Sequence, residues 1–317
     1  MKIEAWPMKR YAAIVISLLS VVGLVTGVVA GMRRAQGMEV RLNKRDLPRH
    51  GIHIITSADP LFEVTAANYF KDKSNKSFES LKPFSVFIKN SGNKSVVAYA
   101  LMWQIVKPDG RILTNTNSYS EPGVLMGDLI PTDPRFKHTQ TLEPDAVKCL
   151  SWSGPINAET QDRLGGGGVS QSKQGQTFQE TDSDMTRSEL STELSEATDM
   201  TVSIDGVFFD DGTFIGPNVT GFFERIQAIV NAKVDLLHDV ALASERGEVD
   251  RALESISEKS LAEDVTITTT STPDDYYKYY GKLFAIEISG MKAAYGKERL
   301  VAHLVNSHNR ARPLLRK

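Results

Sequence analysis

A few residues of this chain have side chains that could act as a nucleophile or bind a metal. Cys149 is the single cysteine, and as a nucleophile it would need a histidine placed beside it by the fold; we interpret it as a small buried hydrophobe. His50 and His53 are three residues apart, and His303 and His308 are five apart. Neither pair has the nearby third ligand that a zinc site needs, so we predict no metal site.

Three carboxylates near a glycine could in principle transfer protons or bind calcium. Asp205, Asp210 and Asp211 precede Gly212, and the last three of these residues are typical of a hairpin turn. A calcium loop would need carboxylates at alternating positions before the glycine, where the chain has apolar residues instead. We therefore interpret this segment as a turn between two strands.

Motifs that bind phosphate or mark a catalytic serine or zinc site are missing from the chain. The glycine run at 165–168 lacks the Walker A spacing, because Lys173 follows Ser172 and not a glycine, and Ser170 stands where the dinucleotide motif has its last glycine. The patterns G-x-S-x-G and H-E-x-x-H are not found either. We predict no catalytic, cofactor-binding or metal-binding residues and no cofactor, which makes an enzyme the less favoured class.

A cluster of tyrosines at 276–280 could present a flat surface to a sugar or a partner protein. Tyrosine is enriched at interfaces, and four of these five residues are tyrosine. The alternative interpretation, which we favour, is that two of the rings pack in the core and two lie in solvent.

Composition excludes several classes of protein. The 317 residues are 41% hydrophobic and 24% charged, with a formal net charge of -2, which is ordinary for a globular chain and gives no basic footprint for nucleic acid. One cysteine excludes an intrachain disulfide. Length alone would allow about two domains.

The segment 11–32 is an uncharged apolar run that follows a short basic N-terminus at 1–10. It holds about 20 residues, enough for a helix to cross a hydrocarbon core of about 30 Å. This length favours an uncleaved signal anchor over a signal peptide cleaved near Ala30 or a buried soluble helix. We expect a single-pass membrane protein, or a secreted one if cleavage occurs.

The orientation of this segment has evidence on both sides. Basic residues are more numerous in the segment 33–55, which we interpret as a juxtamembrane linker, and that count favours a cytoplasmic body. The short basic N-terminus followed at once by the apolar run is instead typical of export. We expect an extracytoplasmic body.

Residues 56–216 are expected to form an antiparallel β-sandwich. From about residue 61 to 152 the pattern is strand-like, most clearly where Val97, Leu101, Trp103 and Ile105 alternate with smaller or polar residues. Trp103 in the middle of a strand resembles the buried tryptophan of immunoglobulin-like domains, a resemblance of architecture only, since the usual cysteine pair is missing.

A segment at about 157–199 differs from the rest of the sandwich in composition. It is rich in glycine, serine, threonine, glutamine and acidic residues and has few large apolar ones. Such a composition cannot bury enough apolar surface to offset the entropy of ordering. We predict a disordered acidic insertion between strands.

The segment 217–311 is predicted to be helical and gives the chain an α+β class. Apolar residues recur there at spacings of three and four, with Asn218 as an N-cap and Thr272-Pro273 starting a later helix. Gly281, Gly290 and Gly296 predict a break in the last region. The tail at 312–317 is a small basic cluster that we expect to be solvated.

These observations predict a class of protein, and no ligand is identified by them. We expect a membrane-anchored, extracytoplasmic, non-enzymatic module for binding or scaffolding at the cell envelope. The expected partners are the lipid bilayer through 11–32 and either another protein or a second copy through the helical region. The alternatives are an envelope hydrolase whose site assembles only in three dimensions and a regulatory subunit anchored facing the cytoplasm.

Overall fold

The computed structural model shows a mixed α+β fold. The described residues are 40–71, 73–120, 125, 141–156, 179–180, 194, 196–268, 270–310 and 312–317. Nearly all of them belong to one compact unit, Leu42–Lys317. The expected membrane helix at 11–32 and most of the expected insertion at 157–199 lie outside the described residues. Within the described parts of the chain, no helix is long and apolar enough to cross a bilayer.

The described strands form two sheets. Sheet A contains β1 (Arg41–Arg45), β4 (Val96–Val106), β5 (Ile112–Ser120), β8 (Gln179–Glu180), β9 (Asp199–Phe209) and β10 (Phe214–Ile215). Sheet B contains β2 (Ile52–Thr56), β3 (Ser85–Asn90), β6 (Val147–Ser151) and β7 (Gly154–Ile156). The strand order is β1-β9-β4-β5-β8 in sheet A, with β10 beside β9, and β2-β3-β6-β7 in sheet B. The pairs β4–β5, β4–β9, β2–β3 and β3–β6 are antiparallel.

Some of the described helices lie between β2 and β3 in the chain, and the others follow β10. They are α1 (Phe62–Phe70), α2 (Lys76–Leu81), α3 (Phe222–Arg246), α4 (Val249–Ser260), α5 (Pro273–Tyr295) and α6 (Lys297–Asn309). Short 3-10 turns occur at Pro48–His50 and Lys82–Phe84. The predicted hairpin of β9 and β10 is confirmed, because Phe214 pairs with Phe208 across the turn.

The large alternating side chains of β4 are buried, and one of them reaches the segment that follows β6. Tyr99, Leu101, Trp103 and Ile105 of β4 are all buried on one face of sheet A. The ring of Trp103 lies 6.4 Å from that of Trp152, which follows β6 of sheet B. Period-two alternation therefore predicted the burial of these four residues correctly, whereas Val97, beside a β-bulge, belongs to the cluster that packs against α3.

The outer face of sheet A packs against the helical region. Ala98 and Phe208 lie on neighbouring strands and face the first turn of α3, and the ring of Phe208 is 5.5 Å from that of Phe223 and 6.0 Å from that of Phe222. Because β4 is covered on both faces here, its small alanines allow the close approach of the helix.

Sheet B is covered on its outer face by helices where strands were expected. Residues from 61 onward were predicted to be strand-like, but Phe62, Ala66 and Phe70 lie one helical turn apart and form the buried stripe of α1. They pack with Phe78 of α2 against Phe87 of β3. The prediction was wrong for this segment because its short apolar stripe also fits a half-buried strand.

The segment 33–55, expected to be a linker, contributes two strands of the folded body. Strand β1 is largely exposed, whereas Ile52 and Ile54 of β2 are fully buried. The run of apolar residues in β2 is too short for periodicity to predict a strand, and its pairing with β3 decides its conformation.

The C-terminal helices agree with the sequence in number and differ in detail. Thr272 begins α5 with a capping box, as its sequence predicted. Gly281 and Gly290 lie inside α5, and only Gly296 separates α5 from α6. Helix α3 begins at Phe222, four residues after Asn218, whose side-chain oxygen nevertheless accepts a hydrogen bond from the N–H of Phe223.

Candidate functional site

A groove of about 570 Å³ lies at one end of the helical region, where α3, α4 and α6 meet. Its apolar lining includes Val249, Val301 and Val305, and charged side chains stand among the other lining residues. Val301 and Val305 are four residues apart on α6 and therefore share one helix face. The groove is a shape into which an apolar side chain or helix face can fit.

Two glycine turns place the helices around this groove. Gly247 ends α3 with a φ of 71° and allows α4 to begin two residues later at Val249. Gly296 has a φ of 80° and separates α5 from α6. A positive φ favours glycine. These two glycines therefore determine where the helices that carry the lining residues end and begin.

The charges beside the groove are paired with each other. Lys297 Nζ lies 2.5 Å from Asp250 Oδ1, with the two side chains 45% and 83% exposed. The Lys297 ammonium holds the pKa of the Asp250 carboxyl below its usual value. The lowered pKa keeps the Asp250 carboxyl ionised near neutral pH, which does not suit it to act as a general acid there.

The histidines that stand close together in the sequence have different surroundings in the structure. His53 Nδ1 lies 3.8 Å from Asp46, and His50 is exposed. His308 packs against His238 of α3 with ring centroids 5.4 Å apart. Burial and the charge of Arg312 keep the pKa of His308 below its usual value. Among the described residues, no three histidine, cysteine or acidic side chains are placed to hold a metal.

Cys149 lies in β6 and is buried in the cluster between sheet B and α1. Burial raises the pKa of its thiol well above the usual value. The thiolate needed for nucleophilic attack is therefore disfavoured, in agreement with its interpretation as a small buried residue.

The carboxylates of the β9 hairpin have structural partners. Asp205 is fully buried and accepts hydrogen bonds from the N–H groups of Val219 and Thr220 and from the Thr220 hydroxyl. Asp211 pairs with Lys94 at 2.6 Å, and this contact lowers its pKa to about 2. Asp205 therefore fixes the loop before α3, a role that its position in a strand did not reveal.

Two rings of the tyrosine cluster are buried as expected, whereas the other two are partly buried against the same core and do not stand free in solvent. Tyr276 and Tyr280 are buried against the sheet, and Tyr277 and Tyr279 are partly exposed. The hydroxyl of Tyr277 donates a hydrogen bond to Asp235 at 2.8 Å, and partial burial together with this carboxylate raises its pKa to about 12. The four rings do not form one flat platform.

The groove itself was not predicted from the sequence. Val301 and Val305 were available as apolar residues at helical spacing, but the same spacing also predicts an ordinary core stripe. Only the positions of α3 and α4 leave this face of α6 partly uncovered. Comparison with protein-family models, with curated proteins and with solved structures finds no match to this chain.

Proposed function

We propose that this chain is a non-enzymatic binding or scaffolding module whose helical region recognises a partner protein. The observation that carries the proposal is the groove between α3, α4 and α6, with its valine-lined interior and the ion pair of Lys297 and Asp250. Apolar interiors with a polar rim are typical of surfaces that bind protein. The titratable groups lining the groove are used in pairing or stand exposed, which supports recognition and not proton transfer.

The partner of this groove is proposed to be an apolar helix face or side-chain cluster. Its test is site-specific photo-crosslinking in intact cells, with a benzophenone amino acid in place of Ala302, which is exposed and lines the groove. We expect a discrete adduct from this position. Glu258, exposed on α4 and outside the groove, is the matched control and should give none.

A second variant separates specific capture from proximity. Val305→Asp places a charge in the groove and should abolish the adduct while thermal melting stays within a few degrees of the parent. Equal adducts from both label positions, or an adduct unaffected by Val305→Asp, would count against recognition through this groove.

We further propose that the segment 11–32 anchors the protein in the membrane and that the body is extracytoplasmic. The support is the length of its uncharged apolar run and the basic N-terminus before it. A C-terminal reporter that is active only outside the cytoplasm tests the orientation. Activity of a cytosolic reporter would reverse the proposal, and N-terminal sequencing would detect cleavage near Ala30.

For the sheets we propose an immunoglobulin-like sandwich. The support is Trp103, which is fully buried in the middle of β4 and packs against Trp152 across the sandwich. Asn115 adds a tie between the sheets, because its amide donates a hydrogen bond to the carbonyl of Trp152 at 2.6 Å. The resemblance concerns architecture alone.

A further inference from the structure

The C-terminal tail of the chain is bonded to the edge of β10 through the backbone of Arg316. Thr213, next to β10, forms a parallel bridge with Arg316. The N–H of Phe214 donates to the carbonyl of Arg316 at 2.7 Å, and the N–H of Arg316 donates to the carbonyl of Gly212 at 3.0 Å. The backbone of the tail is therefore recognised in the way that one strand of a sheet recognises another.

Side chains beside this edge complement the chemistry of the tail. Lys317 Nζ lies 3.0 Å from Glu224 and 5.5 Å from the ring centroid of Phe223. Arg316 lies 3.8 Å from Asp211. Leu315 packs partly buried against the cluster between sheet A and the helices. The edge thus offers an apolar contact followed by two acidic side chains.

Gly212 leaves room for the backbone of the tail because it has no side chain. Its φ is +79°, and a Cβ at this position would lie 2.6 Å from the carbonyl oxygen of Leu314. Gly110, at the turn between β4 and β5, has a nearly identical φ of +81° but nothing within 4 Å of such a Cβ. The positive φ of the turn does not by itself bring another segment close, as Gly110 shows. The close contact between Gly212 and Leu314 is therefore due to the position of the tail.

The tail is held by a small set of contacts at its end. Leu314 is 77% exposed, and α6 has already ended at Asn309. Arg312 makes hydrogen bonds to the last carbonyls of α6 and not to the sheet. The part of the tail that contacts the β10 edge is therefore a short peptide, and Arg312 before it is bonded to the end of α6.

We propose that the β10 edge is a peptide-binding site that acts by strand addition, and that the chain's own tail occupies it in this structure. Its ligand in trans is an extended peptide in which an apolar residue is followed by two basic residues. The backbone bonds give the affinity, and Asp211 and Glu224 select the basic pair. The site shares no residue with the groove, so it does not depend on the groove.

The test uses the full chain with a weakened tail. Arg316→Glu and Lys317→Glu together place two acidic residues against Asp211 and Glu224 and should free the edge. A fluorescently labelled peptide with the sequence of residues 312–317 is then titrated, and binding is followed by anisotropy. We expect at least tenfold tighter binding to this double variant than to the parent chain, because the native tail competes for the same edge.

Two glycine variants in the double-variant background locate the site. Gly212→Ala should weaken peptide binding at least tenfold, because the added Cβ meets the path of the peptide. Gly110→Ala introduces the same backbone strain at an open turn and should leave binding unchanged. Melting curves of both variants report whether each is folded.

A variant that keeps Gly212 tests the same site if the Gly212→Ala protein does not fold. Asp211→Asn in the same background should weaken binding of the peptide, and a peptide with both basic residues changed to glutamate should not bind. Absence of binding to the double variant, or equal affinity for the parent and double variant, overturns the proposal. So does binding that is indifferent to Asp211→Asn and to the charge of the peptide.

Discussion

At the scale of single residues, the buried carboxylate of Asp205 connects β9 to the loop before α3. It accepts three hydrogen bonds from Val219 and Thr220, and its own backbone carbonyl accepts another from the N–H of Asn218. The loop includes Asn218 in a left-handed conformation, with a φ of 58°. A buried acceptor thus holds a loop that would otherwise have little reason to adopt this path.

Replacing Asp205 by alanine should cost about 3 kcal/mol of folding free energy, because buried donors lose a charged acceptor. Asp205→Asn retains one acceptor oxygen and should lose less. The measurement is urea denaturation followed by circular dichroism. Asp210→Ala is the control: Asp210 is exposed in the same hairpin, and its replacement should change the stability by less than about 0.5 kcal/mol. Equal losses for the two alanine variants would contradict the role of Asp205.

Asp211 should make stability depend on acid pH. The hydrogen bond from Lys94 holds its pKa at about 2, below the usual 3.8. A group whose pKa is lower in the folded state stabilises the fold above its unfolded pKa and loses that contribution as pH falls toward the folded value. We expect the Asp211→Asn variant to have a shallower decline of melting temperature between about pH 4 and pH 2 than the parent. Parallel declines in the two proteins would contradict this assignment.

At the scale of elements, α5 shows how a start signal in the sequence becomes a helix. The Thr272 hydroxyl accepts from the N–H of Asp275, and the Asp275 carboxylate accepts from the N–H of Thr272. Two glycines then fail to interrupt the helix, since tertiary packing on α3 and α4 outweighs a glycine cost of about 1 kcal/mol each. Local signals were reliable where side chains bond to nearby backbone, as at this cap.

The cap of α5 gives a prediction at the scale of one helix. Thr272→Ala removes the acceptor for the N–H of Asp275 and should destabilise the protein by about 1 kcal/mol. Thr272→Ser keeps the hydroxyl and should restore most of that loss. Thermal denaturation of the three proteins measures the effect, and an alanine variant as stable as the serine variant would show that the capping box contributes nothing.

At the scale of the whole molecule, the sheets and the helical region share one hydrophobic cluster. Phe208 of β9 contacts the rings of Phe214 and Phe223, and Tyr276 and Tyr280 of α5 belong to the same cluster. We therefore expect the β part and the α part that the sequence suggested to unfold cooperatively. The β part and the α part differ in composition, but we do not expect them to be separate units of stability.

This sharing predicts one unfolding transition for both parts. Phe208→Ala should cost about 3 to 5 kcal/mol and lower the sheet and helix transitions together. Helix loss is followed by circular dichroism at 222 nm, and sheet loss by tryptophan fluorescence of Trp103 and Trp152 in a Trp6→Phe background. Leu314→Ala, at an exposed position, is the control of similar chemistry. Separate midpoints for the two probes in the parent protein would contradict a shared cluster.

The sequence by itself determined the elements whose signals are local. Strict alternation in β4 identified its buried face, the Asp-Asp-Gly turn identified the hairpin, and Thr272 identified the start of α5, because each depends on residues within one turn or strand of each other. These signals were sufficient for an α+β class and for the main helices. They did not locate a site.

Only the tertiary structure decided the features that depend on distant residues. The short apolar stripe at Phe62 became a helix because sheet B offered a face to cover. The tail at 312–317 bonds to the edge of β10 through the backbone of Arg316 because that edge was open to it. The groove likewise exists because α3 and α4 leave part of α6 uncovered. Contacts between segments far apart in the chain produce no periodic pattern in the sequence. They could therefore not be predicted from it.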